Sequence, residues 1–401
     1  MVIEPFIKVL GNDMKKKILF VVDERMMGGV SVVLNDLVHL LDKSQFDIDI
    51  LALNNHGEML ADLPDGVSLI FGTSYFSAID YTIKEVLKER RLSLFMAKLR
   101  VVLDLKTGHI RSQIKRERRK CLKKHYDVEV AFKDGFTALF TAYGNTPKKI
   151  HWLHCSYQSF NPNEKYENLF HDAFLHFQKI IGVTPRVVNE FNQIYHLETI
   201  SEAIPIAMDT KRILTCSLKP STIKLDDAKI QIAVIGRFHP VKGYDRMVNV
   251  FARLKKDGLL KNVEIHMLGE GPIFQNVRNH ILDCHLEDKI ILEGRVQNPY
   301  AELKNFDFLL LPSYSEAFGT VISEAFILGV PVLSTHTSAS ELSIIQNKNG
   351  WSCENSEAGI YQSLKELILK PEAISECKKN LQSYQYKNQD ILKKITEILR
   401  M

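Results

Sequence analysis

The chain has 401 residues, 45% of them apolar and 25% charged, with a formal net charge of +4. That length exceeds one ordinary core and suits two domains of a globular protein, and so small a net charge points away from a chain-wide nucleic-acid partner. The six cysteines include no CxxC pair and no zinc-like spacing, which suits a reducing, cytoplasmic setting. No apolar run approaches a membrane span. Lys15-Lys16-Lys17 precedes only five apolar residues before Asp23, so a secretory signal is not expected.

In chain order, residues 1–13 precede a second methionine, Met14, and read as an extension. KILFVV (17–22) is a short apolar run that fits a buried parallel strand. Gly28-Gly29 follows, then a helical pattern from Val30 to Leu41 and an alternating stretch, FDIDILAL (46–53). This is a βαβ beginning. Asp47-Ile48-Asp49 reads as a DxD metal signature, but alternation within a strand predicts both acids on one solvated face.

Residues 84–125 hold 15 Lys/Arg against four Asp/Glu, a local balance of +11 that leaves −7 for the rest of the chain. Leu92, Phe95, Met96, Leu99, Val102 and Leu103 recur there at helical spacing. Such a segment can rest on an anionic bilayer, or it can pack on the first domain with a solvated basic face. No nucleic-acid recognition motif accompanies the charge. Strands are predicted over 127–132, 149–153 and 179–183. His154 stands at the end of the second of these, where its imidazole can donate to a hydroxyl or a phosphate.

A second unit begins after the polar stretch 215–227. IQIAVIG (230–236) is a strand ending in glycine, and a helix is predicted from Asp245 to about Lys256. VEIHMLG (263–269), KIILEG (289–294), FDFLLLP (306–312) and PVLST (331–335) follow as strands. Each ends near Gly or Pro, where carboxyl-edge loops of a parallel sheet lie. The expected fold class is therefore α/β with two Rossmann-like domains facing each other across a cleft. Their predicted limits are 1–205 and 206–384, with a helix over 385–401 that can cross back to the first domain.

Two motifs carry chemistry. In GRFHPVKG (236–243), Arg237 and Lys242 stand in a glycine-flanked loop before a helix, a setting that suits a diphosphate. In SEAFGTVISEAF (315–326), Glu316 sits in a loop and Glu324 on the helix that follows. In an unbroken helix eight residues would leave these acids about 80° apart. The helix start at Phe318, Gly319 and Thr320 offers main-chain N–H groups to an anion, and a carboxylate suits a sugar hydroxyl.

With GEGP (269–272) and LEGRV (292–296), these segments resemble, in order and spacing, the family 4 retaining glycosyltransferases of the GT-B fold. The resemblance covers most of 15–350. It implies that Arg237 and Lys242 bind a donor diphosphate, that Glu316 lies against the transferred sugar, and that Glu324 binds the ribose. It further implies main-chain contacts from Phe318, Gly319 and Thr320 to sugar and phosphate, and Val296 beside the base. Gly28 and Gly29 would lie near the sugar and leaving group, and His154 near the donor sugar. The sequence departs from the family pattern at Pro205-Ile206-Ala207-Met208-Asp209, where the usual Asn-Gly is missing, and at Ala317, usually glycine. Neither departure removes a charge.

The implied activity is transfer of a hexose-type group from a nucleoside diphosphate sugar, UDP by default, to a hydroxyl of a glycan or lipid-linked acceptor. No cofactor and no essential metal are expected, because Arg237 and Lys242 supply the positive charge a cation would provide. A sugar-nucleotide epimerase of the same fold and a non-catalytic partner subunit are the alternatives.

Overall fold

The computed structural model describes residues 15–23, 29–54, 63–157 and 166–401. The N-terminal extension and Gly28 lie outside them. The first half runs β1 (Lys16–Val22), α1 (Gly29–Leu40), β2 (Phe46–Ala52), β3 (Ser68–Phe71), α2 (Ser74–Asp80), α3 (Ile83–Lys88), α4 (Leu92–Thr107), α5 (Ile110–Cys121), β4 (Val128–Ala131), α6 (Phe136–Ala142), β5 (Lys148–Leu153), α7 (Glu167–Phe174), β6 (Lys179–Gly182), α8 (Pro185–Tyr195) and β7 (Ser201–Ala203). The second half runs α9 (Thr210–Ser217), β8 (Ile230–Ile235), α10 (Tyr244–Lys256), β9 (Val263–Leu268), α11 (Phe274–Asp283), β10 (Ile290–Gly294), α12 (Pro299–Leu303), β11 (Phe308–Leu311), α13 (Thr320–Ile327), β12 (Val332–Thr335), α14 (Ser338–Ser343), β13 (Gly350–Cys353), α15 (Glu357–Leu369), α16 (Glu372–Leu381) and α17 (Asn388–Arg400).

The strands form two sheets, ordered β3-β2-β1-β4-β5-β6-β7 and β10-β9-β8-β11-β12-β13. In each, the first strand of the half sits in the middle and the order reverses beside it. This is the doubly wound pattern that near-continuous apolar strands joined by helices dictate. The pairings within the second sheet are parallel, as are those from β3 through β5 in the first. The described residues divide into two compact units. One holds 15–23, 29–54, 63–152, 166–180 and 392–401; the other holds 153–157 and 181–391. Within the first unit, the Lys148 ammonium donates to the carbonyl of Ile398 at 2.6 Å, tying the end of α17 to the start of β5.

Each unit has its own interior. In the first, Ile18 to Val22 are buried throughout. One ion pair is sealed inside: Arg118 on α5 grips Glu129 on β4 with two bonds of 2.7 and 2.8 Å. Its guanidinium also donates to the carbonyl of Phe140 at 2.6 Å and lies 4.1 Å over that ring. His151 on β5 is fully buried between Phe174 and Phe177, and burial pushes its pKa down to about 4. In the second unit, one core centres on α10, with Tyr244, Met247, Val248, Phe251 and Leu254 against β8 and β9. A smaller one lies under α13.

The DxD reading needs correction. Asp47 is half-buried, but Asp49 is buried, not solvated, and accepts hydrogen bonds from Lys124 at 3.0 Å and Tyr126 at 2.7 Å. The segment after α5 folds back over this face of β2 and takes the carboxylate as an internal acceptor.

Candidate active site

In a doubly wound sheet the loops at the point where strand order reverses are free to diverge and receive a ligand. In the second sheet that point lies between β8 and β11. The loops leaving these two strands are 236–243 and 312–319, the two that carry the sequence motifs.

They are sewn together. The Tyr314 N–H donates to the carbonyl of Val241 at 2.8 Å. Arg246, one turn into α10 and buried, donates from Nε and Nη2 to the carbonyl of Pro312 at 2.8 and 2.5 Å. Its guanidinium lies 3.9 Å over the Tyr314 ring, and the Tyr314 hydroxyl donates to Asp245 at 3.0 Å. Gly243 closes the first loop at φ 67°, and a Cβ there would stand 2.1 Å from the carbonyl oxygen of Pro312. Only glycine permits both that dihedral and that approach. The ring of Phe238 stacks on Tyr244 at 4.3 Å, and the Tyr244 hydroxyl donates to the carbonyl of Gly236 at 3.0 Å. Burial, then the Glu316 charge, raises the Tyr244 pKa, so the phenol stays a donor.

This frame brings Lys242 to Glu316. The ammonium donates to Oε1 at 2.5 Å, with the two side chains 27% and 10% exposed. The Ser313 hydroxyl donates to the same oxygen at 2.8 Å, and the Ala339 N–H of α14 holds the main-chain carbonyl of Glu316 at 3.2 Å. The cation is therefore fixed at one side yet open to water, and a ligand anion can share it.

The structure places the other predicted residues in different settings. Arg237 is exposed on the same loop. Phe318 is buried, and Gly319 is the N-cap of α13 at φ 63° with no side-chain cap, so no side chain closes off the helix start at Thr320. Glu324, half-buried on α13, accepts from the Tyr300 hydroxyl at 3.4 Å. Tyr300 in turn receives Arg212 Nη2 at 3.4 Å. Val296 follows β10 and packs partly buried against the α13 core. His154, directly after β5, is half-buried. Gly29 belongs to the first unit and opens α1; a Cβ there would meet nothing within 4 Å, so the fold itself does not require glycine. Among the described residues, no group of three or more His, Cys, Asp or Glu side chains could hold a metal ion.

Sequence reasoning missed Arg246, Tyr314, Ser313 and Tyr300. Arg246 lies four residues after Lys242 on an amphipathic helix, where an arginine reads as a surface charge. Only the sheet's closeness to α10 makes it internal.

The two reversed-order sheets, with the loop pair at one reversal point, fit the GT-B fold. Residues 219–387 match the model of glycosyl transferases group 1. The chain is 27% identical over 179 residues to N-acetyl-alpha-D-glucosaminyl L-malate synthase of Bacillus anthracis, covering 44% of this chain and 46% of that one. It is 29% identical over 167 residues to poly(ribitol-phosphate) alpha-N-acetylglucosaminyltransferase of Staphylococcus aureus (strain COL), covering 40% and 33%. The chain thus spans about half or less of the length of these curated relatives. In fold it is similar to Anabaena HepE in complex with UDP and glucose, with a TM-score of 0.68 and 14% identity over 96% of this chain and 99% of that one. It is also similar to WaaG, a glycosyltransferase involved in lipopolysaccharide biosynthesis, with a TM-score of 0.64 and 13% identity over 95% and 99%.

Proposed function

We propose that the protein transfers a hexose-type group from a nucleoside diphosphate sugar to a hydroxyl of a glycan or lipid-linked acceptor, with retained anomeric configuration, in cell-surface polysaccharide or glycoconjugate synthesis. The observation that carries this reading is the Lys242–Glu316 pair, held at the reversal point of the second sheet by loops that main-chain and Arg246 contacts fix in place.

The diphosphate lies against Lys242 and Arg237, whose charges take up the negative charge that grows as the leaving group departs. The main chain of Phe318, Gly319 and Thr320 donates to phosphate and sugar from the uncapped start of α13. Glu316, already bonded to Lys242, faces the sugar and stabilises positive charge on it. Glu324 takes the ribose hydroxyls and Val296 borders the base. Gly28, Gly29 and His154 serve the sugar and leaving-group side. The glycosidic bond to the diphosphate breaks, the acceptor oxygen attacks the same face of the anomeric carbon, and its proton passes to the leaving phosphate. Glu316 orients the sugar and is not a covalent nucleophile. No essential metal takes part, since Lys242 and Arg237 occupy the role of a cation. UDP is the favoured base carrier, in line with the UDP of the HepE complex. The protein works in the cytoplasm, at the inner membrane face.

Thermal-shift measurement against UDP-, GDP-, ADP- and TDP-sugars tests the donor assignment. UDP-sugars should raise the melting temperature by mass action, by about 2.7 kcal/mol of stabilisation at 100 times Kd. Absence of a shift with all four, at millimolar ligand, would sink the donor site.

A further inference from the structure

In the donor site proposed above, Glu324 takes the ribose hydroxyls. A carboxylate on a flexible side chain does this well only when something holds its direction. Glu324 is half-buried on α13, and the Tyr300 hydroxyl of α12 donates to its Oε1 at 3.4 Å. Tyr300 is itself buried and meets Arg212 of α9 in two ways. Nη2 donates to the hydroxyl oxygen at 3.4 Å, and the guanidinium stands 5.4 Å from the ring centre. A phenol that accepts from a cation becomes a stronger donor in turn, so the row Arg212–Tyr300–Glu324 directs the phenolic proton at the carboxylate.

The supporting helices are anchored apart from that row. Asp209 caps α9, accepting from the Arg212 N–H at 2.9 Å. The Asn388 side chain brackets Met208, bonding its N–H at 3.0 Å and its carbonyl at 2.5 Å. At α12, Asn298 donates to the carbonyl of Cys216 at 2.7 Å. Glu302, buried, accepts from the N–H and hydroxyl of Thr222 at 3.0 and 2.9 Å and from the N–H of Ile223 at 3.2 Å. These bonds hold α9 and α12 without the Tyr300 hydroxyl, and a phenylalanine would fill the same space. The oxygen serves the carboxylate. Both contacts, at 3.4 Å, are longer than the commonest hydrogen-bond lengths of about 2.7–3.0 Å. Such contacts are often loose in a free enzyme and tighten on the ligand.

We propose that Tyr300, polarised by Arg212, is a positioning residue that aims Glu324 at the ribose hydroxyls and thereby sets a preference for ribonucleotide over 2′-deoxyribonucleotide donors. This deepens the donor-site reading and rests on Glu324 meeting the ribose.

Binding of UDP and of 2′-deoxy-UDP to the full chain is measured by titration calorimetry, in parallel with GDP, ADP and their 2′-deoxy forms. The tightest-binding pair carries the comparison. The wild type should favour the ribonucleotide by about tenfold or more, the worth of a hydrogen bond to a charged group. Tyr300→Phe should keep the wild-type melting temperature without ligand, bind the ribonucleotide about tenfold more weakly, and lose most of the preference, because the 2′-deoxy form has less to lose. Arg212→Gln should show the same pattern with a smaller loss. Glu324→Gln should also erase the preference, and Tyr300→Phe added to it should change binding little further, since the two residues act as one unit. A group that only supports the fold would weaken both ligands of a pair alike. Equal weakening by Tyr300→Phe, or additive losses in the double variant, would overturn the positioning role. A wild type that binds a pair without ribose preference would overturn the proposal and leave the donor site standing. Binding of no pair would remove the donor reading itself, and the proposal with it.

Discussion

The two units each contain a notable cation–carboxylate pair, and the pairs are built for opposite ends. Arg118–Glu129 is sealed: the side chains are 8% and 0% exposed, the contact is bidentate, and Thr146 and the carbonyl of Phe140 satisfy what remains. Lys242–Glu316 is single-pronged and accessible, at 27% and 10%. In a dry interior, removing one partner strands the other charge, so a sealed pair cannot exchange partners. A half-open pair can, because a ligand anion replaces water at the cation and not the carboxylate. The difference marks one pair as architecture and leaves the other accessible, as the proposed donor site requires, though both look alike as charges.

Four perturbations would break or sharpen this contrast. The largest effect is expected from Lys242→Ala, which should lower kcat for UDP-sugar turnover about 100- to 1,000-fold, by analogy with the loss of one transition-state donor, while the melting temperature changes little. Arg237→Ala added to it should leave no measurable turnover. Retained activity in the double variant would show that the accessible cations do not serve the reaction. The reverse pattern belongs to Arg118→Met. It strands Glu129 and should cost about 3–5 kcal/mol in denaturant unfolding, with the donor KM of the folded fraction unchanged. If Arg118→Met is as stable as wild type, the distinction between the pairs fails.

Arg246→Lys probes the frame beneath the open pair. It keeps a positive charge but cannot make the two-pronged grip on Pro312. A loss of about 1.5 kcal/mol should appear as roughly a tenfold fall in kcat/KM. The Tyr314→Phe variant, which loses only its bond to Asp245, should fall less. A melting change without a change in kcat/KM would make Arg246 structural only.

The last effect concerns His151, is confined to acid and leaves neutral pH untouched. Burial holds its pKa at about 4, below an unfolded value of about 6.5. Between these values the unfolded chain binds one more proton than the native one. Stability contributed by the neutral ring is therefore complete above about pH 6.5 and is lost as pH falls toward 4, with a slope of about 1.4 kcal/mol per pH unit. His151→Phe should flatten that part of the stability profile, measured by urea unfolding of the two proteins across this range. An equal slope in both would show that another group titrates there.

The strands of both sheet centres were legible because burial on both faces forces continuous apolar runs, as in KILFVV and IQIAVIG. β3, β7 and β13 were not: they lie at sheet edges, and none of them holds an apolar run longer than three residues. At the site, Arg237, Lys242, Glu316 and Glu324 were singled out by the motifs they share with a known family, since as isolated charges in a loop or on a helix they would read as ordinary surface groups. Asp49 was misplaced for a different reason. Alternation says which residues share a face of a strand, but not whether a distant segment, here Lys124 and Tyr126, comes back to cover it.

The sequence by itself determined that there are two doubly wound sheets and which loop residues bear the charges, since both follow from local periodicity and turn chemistry. The tertiary structure alone decided which charges meet. Lys242 reaches Glu316 across 74 residues because β8 and β11 are neighbours at a reversal of strand order. Arg246 became internal because α10 lies directly on that junction. The α4 leucines split into a buried face, with Leu94, and a wet one, with Leu92, Leu99 and Leu103, because α2 and α3 cover only one side. Each of these depends on what packs opposite a residue, and no spacing within one segment encodes that.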